Sequence, residues 1–102
     1  MKPLPTTVSA LALLAAAGIA HAADADLGRN LAATCATCHG TNGQAVQGAG
    51  MEALAGMDKA KALQKLSEFR SGAKPASIMH QISKGFTDEQ LDLMAAFFAA
   101  QK

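Results

Sequence analysis

Cys35-Ala36-Thr37-Cys38-His39 places two thiols one helical turn apart, with an imidazole at the next position. Each thiol can form a thioether to one of the two vinyl groups on an edge of a porphyrin. The histidine can then present a ring nitrogen to the iron from the proximal side. A bare metal site does not require that adjacent histidine, and a dithiol redox site does not favour it. Zinc needs four ligands, and Cys35, Cys38, His39 and His80 would have to supply them with two neighbours as strained co-ligands. A thioredoxin-like site needs a βαβ pattern, which is missing. The pentapeptide therefore predicts one covalently bound haem c, with Cys35 and Cys38 as thioether sites and His39 on the iron.

A second axial ligand must come from elsewhere, and Met51, Met57, Met79, Met94 and His80 are available. Methionine is more often a flexible core filler than a ligand. Met94 reads as core on the last helix, and Met51 and Met57 follow the proximal loop. Met79 lies in a short segment bracketed by Pro75 and Gly85, which can hang over the opposite haem face. A thioether there would favour reduced iron and raise the potential. His80 is the rival, because adjacent helical residues point about 100° apart and only one of the pair can face the iron. Otherwise His80 lies at the haem rim or on the surface.

Helices joined by loops must position these groups. No stretch shows sustained strand alternation, so an all-α fold of about four short helices around the haem is expected. The first helix runs from about Asp24 into the haem motif, with Leu27 and Leu31 on one face and acidic residues at its positive end. Gly28 in mid-helix costs stability and makes sense where another helix crosses closely. Gly40 to Gly56 loses all periodicity, and a loop of that length in a small domain is usually functional. It is expected to wrap the proximal haem edge. A second helix spans Asp58 to Arg70, with Asp58 as N-cap, an apolar stripe at Ala62, Leu66 and Phe69, and Gly72 as its stop. Pro75 suits the first turn of a short third helix carrying Ser77 to Ser83 and ended by Gly85. Thr87-Asp88-Glu89-Gln90 is a capping box, with Phe86 and Leu91 as its staple. Leu91, Met94 and Phe98 form the inner face of this last helix, widened by Phe97.

Composition asks for a prosthetic group independently. The chain has 102 residues, no Trp or Tyr, and only four Phe. Lys2, the apolar run from Val8 to Ile19 and the Ala20-His21-Ala22 cleavage site read as a secretory signal over residues 1–22. That run is too short to favour a spanning helix, though an uncleaved anchor is the alternative. One domain over residues 23–102 remains, at a size where a core alone is seldom sufficient. The apolar faces of a macrocycle would fill its centre. Export would also permit a disulfide, but the spacing and the following histidine make that the weaker option.

Without Lys2 the formal charge is near zero, and the charges fall in blocks. Lys59, Lys61, Lys65, Arg70, Lys74 and Lys84 crowd the middle, while acidic residues dominate on both sides. Such a block is either a set of solvated helix faces or a basic docking surface near the cofactor. No nucleic-acid partner and no integral membrane span after signal cleavage are expected.

The chain beyond the signal resembles the class I c-type cytochromes. Asp24 to Gly40 matches their opening helix and haem-binding pentapeptide, and Leu54-Ala55-Gly56 resembles a turn found in one branch. Phe69-Arg70-Ser71-Gly72 followed by Pro75-Ala76-Ser77-Ile78-Met79 resembles that branch's distal-ligand region. Lys84-Gly85-Phe86-Thr87-Asp88-Glu89 leads into a terminal Ala-Ala-Phe-Phe helix that in the family crosses the first near a glycine like Gly28. From Phe69 onward the chain is most similar to the cytochrome subunit of flavocytochrome c sulfide dehydrogenase. The resemblance implies thioethers at Cys35 and Cys38, axial ligands at His39 and Met79, and a sulfide-oxidising flavoprotein as partner. Relatives commonly place prolines before Leu-Ala-Gly, where a backbone carbonyl accepts the hydrogen bond of the proximal imidazole. Ala49 and Glu52 stand there in this chain, so any carbonyl lacks proline's rigidity and the orientation of His39 is left open.

The expected function is periplasmic electron transfer, with no substrate chemistry on the chain itself. It is not an enzyme alone, but a possible subunit of an oxidoreductase complex. No flavin-binding fingerprint occurs, so any flavin sits on another chain. The alternatives are a free monohaem carrier shuttling between respiratory or photosynthetic complexes, and an open-site haem enzyme such as a peroxidase. A stable complex predicts an apolar patch beside the haem edge, and a shuttle predicts a charged rim.

Overall fold

The computed structural model describes residues 1–2 and 24–102. The signal over residues 1–22 therefore lies almost wholly outside the described residues. Those described fold as helices and connecting loops, with no strand among them. Helix α1 covers residues 24–39. A 3-10 turn follows at Thr41–Gly43, then α2 at Lys59–Ser71, α3 at Met79–Lys84 and α4 at Asp88–Ala99. None of these helices is long and apolar enough to cross a membrane.

Helices α1 and α4 cross where α1 has no side chain. A Cβ built on Gly28 would lie 2.9 Å from the carbonyl oxygen of Leu93, too close without a backbone shift. The helix-weakening glycine is thus a packing requirement. The buried residues of α1 are Gly28 and Ala32, while Leu27 is 47% exposed. The face of α1 turned inward is therefore that of Gly28 and Ala32, not that of Leu27, because a close crossing selects the small residues. On α4, Leu91, Met94, Ala95 and Phe98 are buried. Phe97 adds an edge-to-face contact to Phe98 at 5.4 Å between ring centroids.

Helix α2 starts as its sequence asks, with Asp58 accepting from the Lys61 amide at 3.1 Å, and stops at Gly72 in the left-handed region, φ 83°. No residue of α2 is buried, because Ala62, Leu66 and Phe69 face a cleft instead of another helix. Helix α4 carries the full capping box. The Gln90 amide donates to Thr87 Oγ1 at 3.1 Å, and the Thr87 amide donates to Gln90 Oε1 at 2.9 Å.

Helix α3 departs from expectation. Pro75 is not in its first turn, because residues 75–78 are non-helical and Met79 is the first helical residue. Ile78 is the N-cap at φ −141° and offers no side-chain acceptor. Arg70 of α2 holds the far end of this segment. Its Nε donates to Ser83 O at 3.3 Å and its Nη2 to Phe86 O at 2.8 Å, while Nη1 pairs with Asp88. These tertiary bonds fix one and a half helical turns that would not form alone.

Candidate haem site

The C-terminal end of α1 presents the cysteines and histidine, and the chain turns sharply at Gly40. That turn has φ 86°, and an added Cβ would lie only 1.9 Å from the Gln44 carbonyl oxygen. The loop then doubles back onto Gly43. Its carbonyl accepts from the amides of Leu54 at 2.8 Å and Ala55 at 3.0 Å. Gly56 N–H continues the anchorage by donating to Phe98 O at 2.8 Å. The 40–56 segment is thus pinned at both ends against α1 and α4.

Between them lies an apolar slot in two lobes. The inner lobe, an open cleft of about 660 Å³, is walled by Leu54, Met57, Leu66, Met94 and Phe98. The outer lobe, about 750 Å³, is bounded by Cys38, Met51, Pro75, Ile78 and Ile82. Cys35, His39, Phe69 and Met79 line both lobes, which makes them one continuous site. Of the five residues weighed for the second axial position, Met79 alone borders both lobes; Met57 and Met94 border the inner lobe and Met51 the outer. His80 borders neither, and its buried Nδ1 has no hydrogen-bond partner. Met94 is 4% exposed, as its core reading requires.

His39 Nδ1 lies 2.6 Å from the backbone oxygen of Glu52. A carbonyl can only accept, so Nδ1 carries the proton and the Nε2 lone pair is left for a metal. The carbonyl supplied elsewhere by a proline-bearing loop is here supplied by Glu52. That residue is held a second time, because its carboxylate pairs with Lys65 of α2. The Lys65 ammonium keeps the Glu52 carboxyl below the ordinary carboxylate range, chiefly through this hydrogen bond. Sequence reasoning passed over this pair, since Lys65 reads as one member of a basic block. A glutamate at the proline position was the available signal.

The donor set suits a porphyrin better than a bare ion. Cys35 is partly buried and Cys38 exposed, both as free thiols, and burial together with Cys38 pushes the Cys35 thiol up. No group of three or more His, Cys, Asp or Glu among the described residues is arranged to hold a metal ion. Two thiols at the mouth of an apolar slot, a nitrogen ligand fixed in tautomer and a methionine on its wall match a flat apolar macrocycle with an iron centre.

The basic block is largely tied up. Lys59 pairs with Asp92 at 2.9 Å, Lys65 with Glu52, and Arg70 with Asp88. Lys74 lies 5.3 Å from the centroid of the Phe69 ring. Half of the six cations thus stitch α2 to the loop and to α4, which weakens the case for a broad basic docking surface.

An all-α domain whose helix-terminal dithiol and histidine open into such a slot is a c-type haem protein. Residues 25–102 match the cytochrome c family, and the chain belongs to that family as a class I c-type cytochrome. It carries one covalently attached haem c, and members of its family are electron carriers. The chain is 37% identical to the thiosulfate dehydrogenase electron acceptor of Stutzerimonas stutzeri (strain A1501), over 98% of this chain and 49% of that protein. It is 34% identical to cytochrome c4 of Pseudomonas aeruginosa, over 93% of this chain and 47% of that protein. It is 30% identical to the cytochrome subunit of sulfide dehydrogenase of Chlorobaculum tepidum, over 70% of this chain and 63% of that protein. The chain thus spans about half the length of the first two and under two thirds of the third.

Proposed function

We propose that residues 23–102 form an exported, periplasmic haem domain, released from a signal at residues 1–22, that takes electrons from a dehydrogenase acting on inorganic sulfur. Cys35 and Cys38 would hold the haem through thioethers, and His39 and Met79 would ligate its iron. When bound, the haem supplies an iron that accepts and returns one electron without changing its ligands. The protein's part is to fix the His39 tautomer through Glu52, to surround the ring with apolar side chains that exclude water, and to leave the cysteine edge accessible. The observation that carries this reading is the His39–Glu52 bond, which orients a nitrogen ligand into a slot bordered by Met79. That Met79 borders both lobes and His80 neither supports the methionine as second ligand.

The partner reading rests on the rim. Met51 is 47% and Ile78 52% exposed, and both line the outer lobe beside Cys38. An apolar rim there supports a stable complex over a free shuttle, and a sulfide-oxidising flavoprotein is the first choice. A thiosulfate-oxidising donor is the second reading, favoured by the greater identity and coverage of the thiosulfate dehydrogenase electron acceptor. Purification of the exported holoprotein from its native host tests both. A co-purifying flavoprotein that reduces the haem on adding sulfide is the expected result. Reduction by thiosulfate through a different enzyme supports the second reading, and a lone red monomer reduced by neither overturns both.

A further inference from the structure

Between Ala49 and Leu54 the loop makes no backbone–backbone hydrogen bond. Gly48 and Gly50, both in the left-handed region, have nothing within 4 Å of where a Cβ would stand. Nothing in the main chain of this stretch therefore fixes the one carbonyl that must meet the imidazole. What reaches it is a side chain from α2. Lys65 pairs with Glu52 Oε1, and the Lys65 side chain is only 21% exposed although it belongs to an otherwise solvated block. The same residue is thus held through its carbonyl by His39 and through its carboxylate by Lys65.

We propose that Glu52 and Lys65 are positioning residues for the proximal ligand. Their ion pair performs the service of a rigid proline, holding the Glu52 carbonyl where His39 Nδ1–H must donate. The inference rests on His39 being the iron ligand. Hydrogen bonding at Nδ1 raises the electron donation of the ring toward a metal, so a loosened carbonyl raises the haem potential. Removing charge acts on the same potential by a different route. Losing the Glu52 carboxylate favours reduced iron, and losing the Lys65 ammonium disfavours it. A clamp and a mere pair of nearby charges are therefore distinguishable.

The test uses the haem-loaded protein and reads the exchange rate of the His39 Nδ1 proton by NMR, together with the midpoint potential. Glu52→Gln and Lys65→Gln should each speed that exchange by about two- to five-fold, the range set by an exposed or half-exposed ion pair. The charge-exchanged double variant E52K/K65E should restore the native rate. Lys59→Gln, which breaks the Lys59–Asp92 pair on the same helix, should leave it unchanged and so controls for general loosening of α2. Unchanged exchange in both single variants overturns the clamp, as does equal acceleration by Lys59→Gln. Potentials that move in opposite directions with no change in exchange reduce the pair to simple charge and also overturn it. The ligand assignment fails separately. If the ferric protein shows no strongly shifted His39 ring protons, His39 is not on the iron, whatever the exchange rates are.

Discussion

The two walls of the slot are built by different means. His39 ends a long helix that also carries both cysteines, and a main-chain carbonyl fixes its ring. Met79 begins a six-residue helix after a non-helical approach, held by one bond within that helix and by others from α2. Ser83 Oγ donates to Met79 O at 2.6 Å, and Arg70 reaches across from α2 to Ser83 O and Phe86 O. The proximal ring is thus presented by a long helix and met by one loop carbonyl, while the distal side exists only once α2, α3 and α4 have packed. With Met79 as the proposed second ligand, the contrast predicts that it yields before His39.

Removing the two proposed ligands gives the largest contrast. His39→Ala should abolish accumulation of red holoprotein, because attachment and proximal ligation fail together. Met79→Ala should still yield covalent holoprotein, but with a potential lower by on the order of 100 mV and ready binding of carbon monoxide. Optical spectra with and without carbon monoxide check both variants. A native protein that already binds the gas readily would end the His/Met reading.

Arg70→Met comes next. It strips three hydrogen bonds from the α3 region, one of them an ion pair with Asp88, and leaves two carbonyls without their donor. A cost of about 2–4 kcal/mol is expected, read as a fall in melting temperature of about 10 °C or more. Faster cyanide binding to ferric iron should accompany it, since the Met79 segment is released. If stability falls while cyanide binding stays native, Arg70 supports the fold without holding the distal wall. Ser83→Ala is milder. Ser83 is fully buried, but its hydroxyl donates to a carbonyl of its own helix, that of Met79, so about 1 kcal/mol is expected, measurable by denaturant titration.

The same division decides what could be read from sequence. The Asp58 and Thr87 caps and the stop at Gly72 follow from neighbouring residues and appear as expected, and the Gly28 crossing was signalled by a helix-weakening glycine. The α3 start was misplaced because proline at a helix start is only a local preference. Here the approach is non-helical until Met79, and Arg70 anchors the segment from a residue far away in sequence. Leu27, read with Leu31 as one apolar face, is exposed because hydrophobicity alone ignores how closely α4 approaches. The Glu52–Lys65 pair was invisible for the same reason as Arg70, since its partners meet only in three dimensions.

Acid should separate the walls most gently. Lys65 holds the Glu52 carboxyl below its ordinary range, so folding binds this proton less tightly than the unfolded chain does. The resulting stability is complete above the unfolded carboxyl pKa of about 4.3. It fades as pH falls through the lower folded value. Half of the Glu52 side chain is exposed, so solvent screening keeps the effect to a fraction of a kcal/mol. Melting temperatures of the native protein and Lys65→Gln should therefore converge between about pH 5 and pH 3. Gln keeps the length of the side chain but not its charge, and convergence should shrink in high salt. Parallel curves over that interval would mean that the ion pair contributes nothing to the proximal wall, and that the loop is held by the Gly43 and Phe98 carbonyls alone.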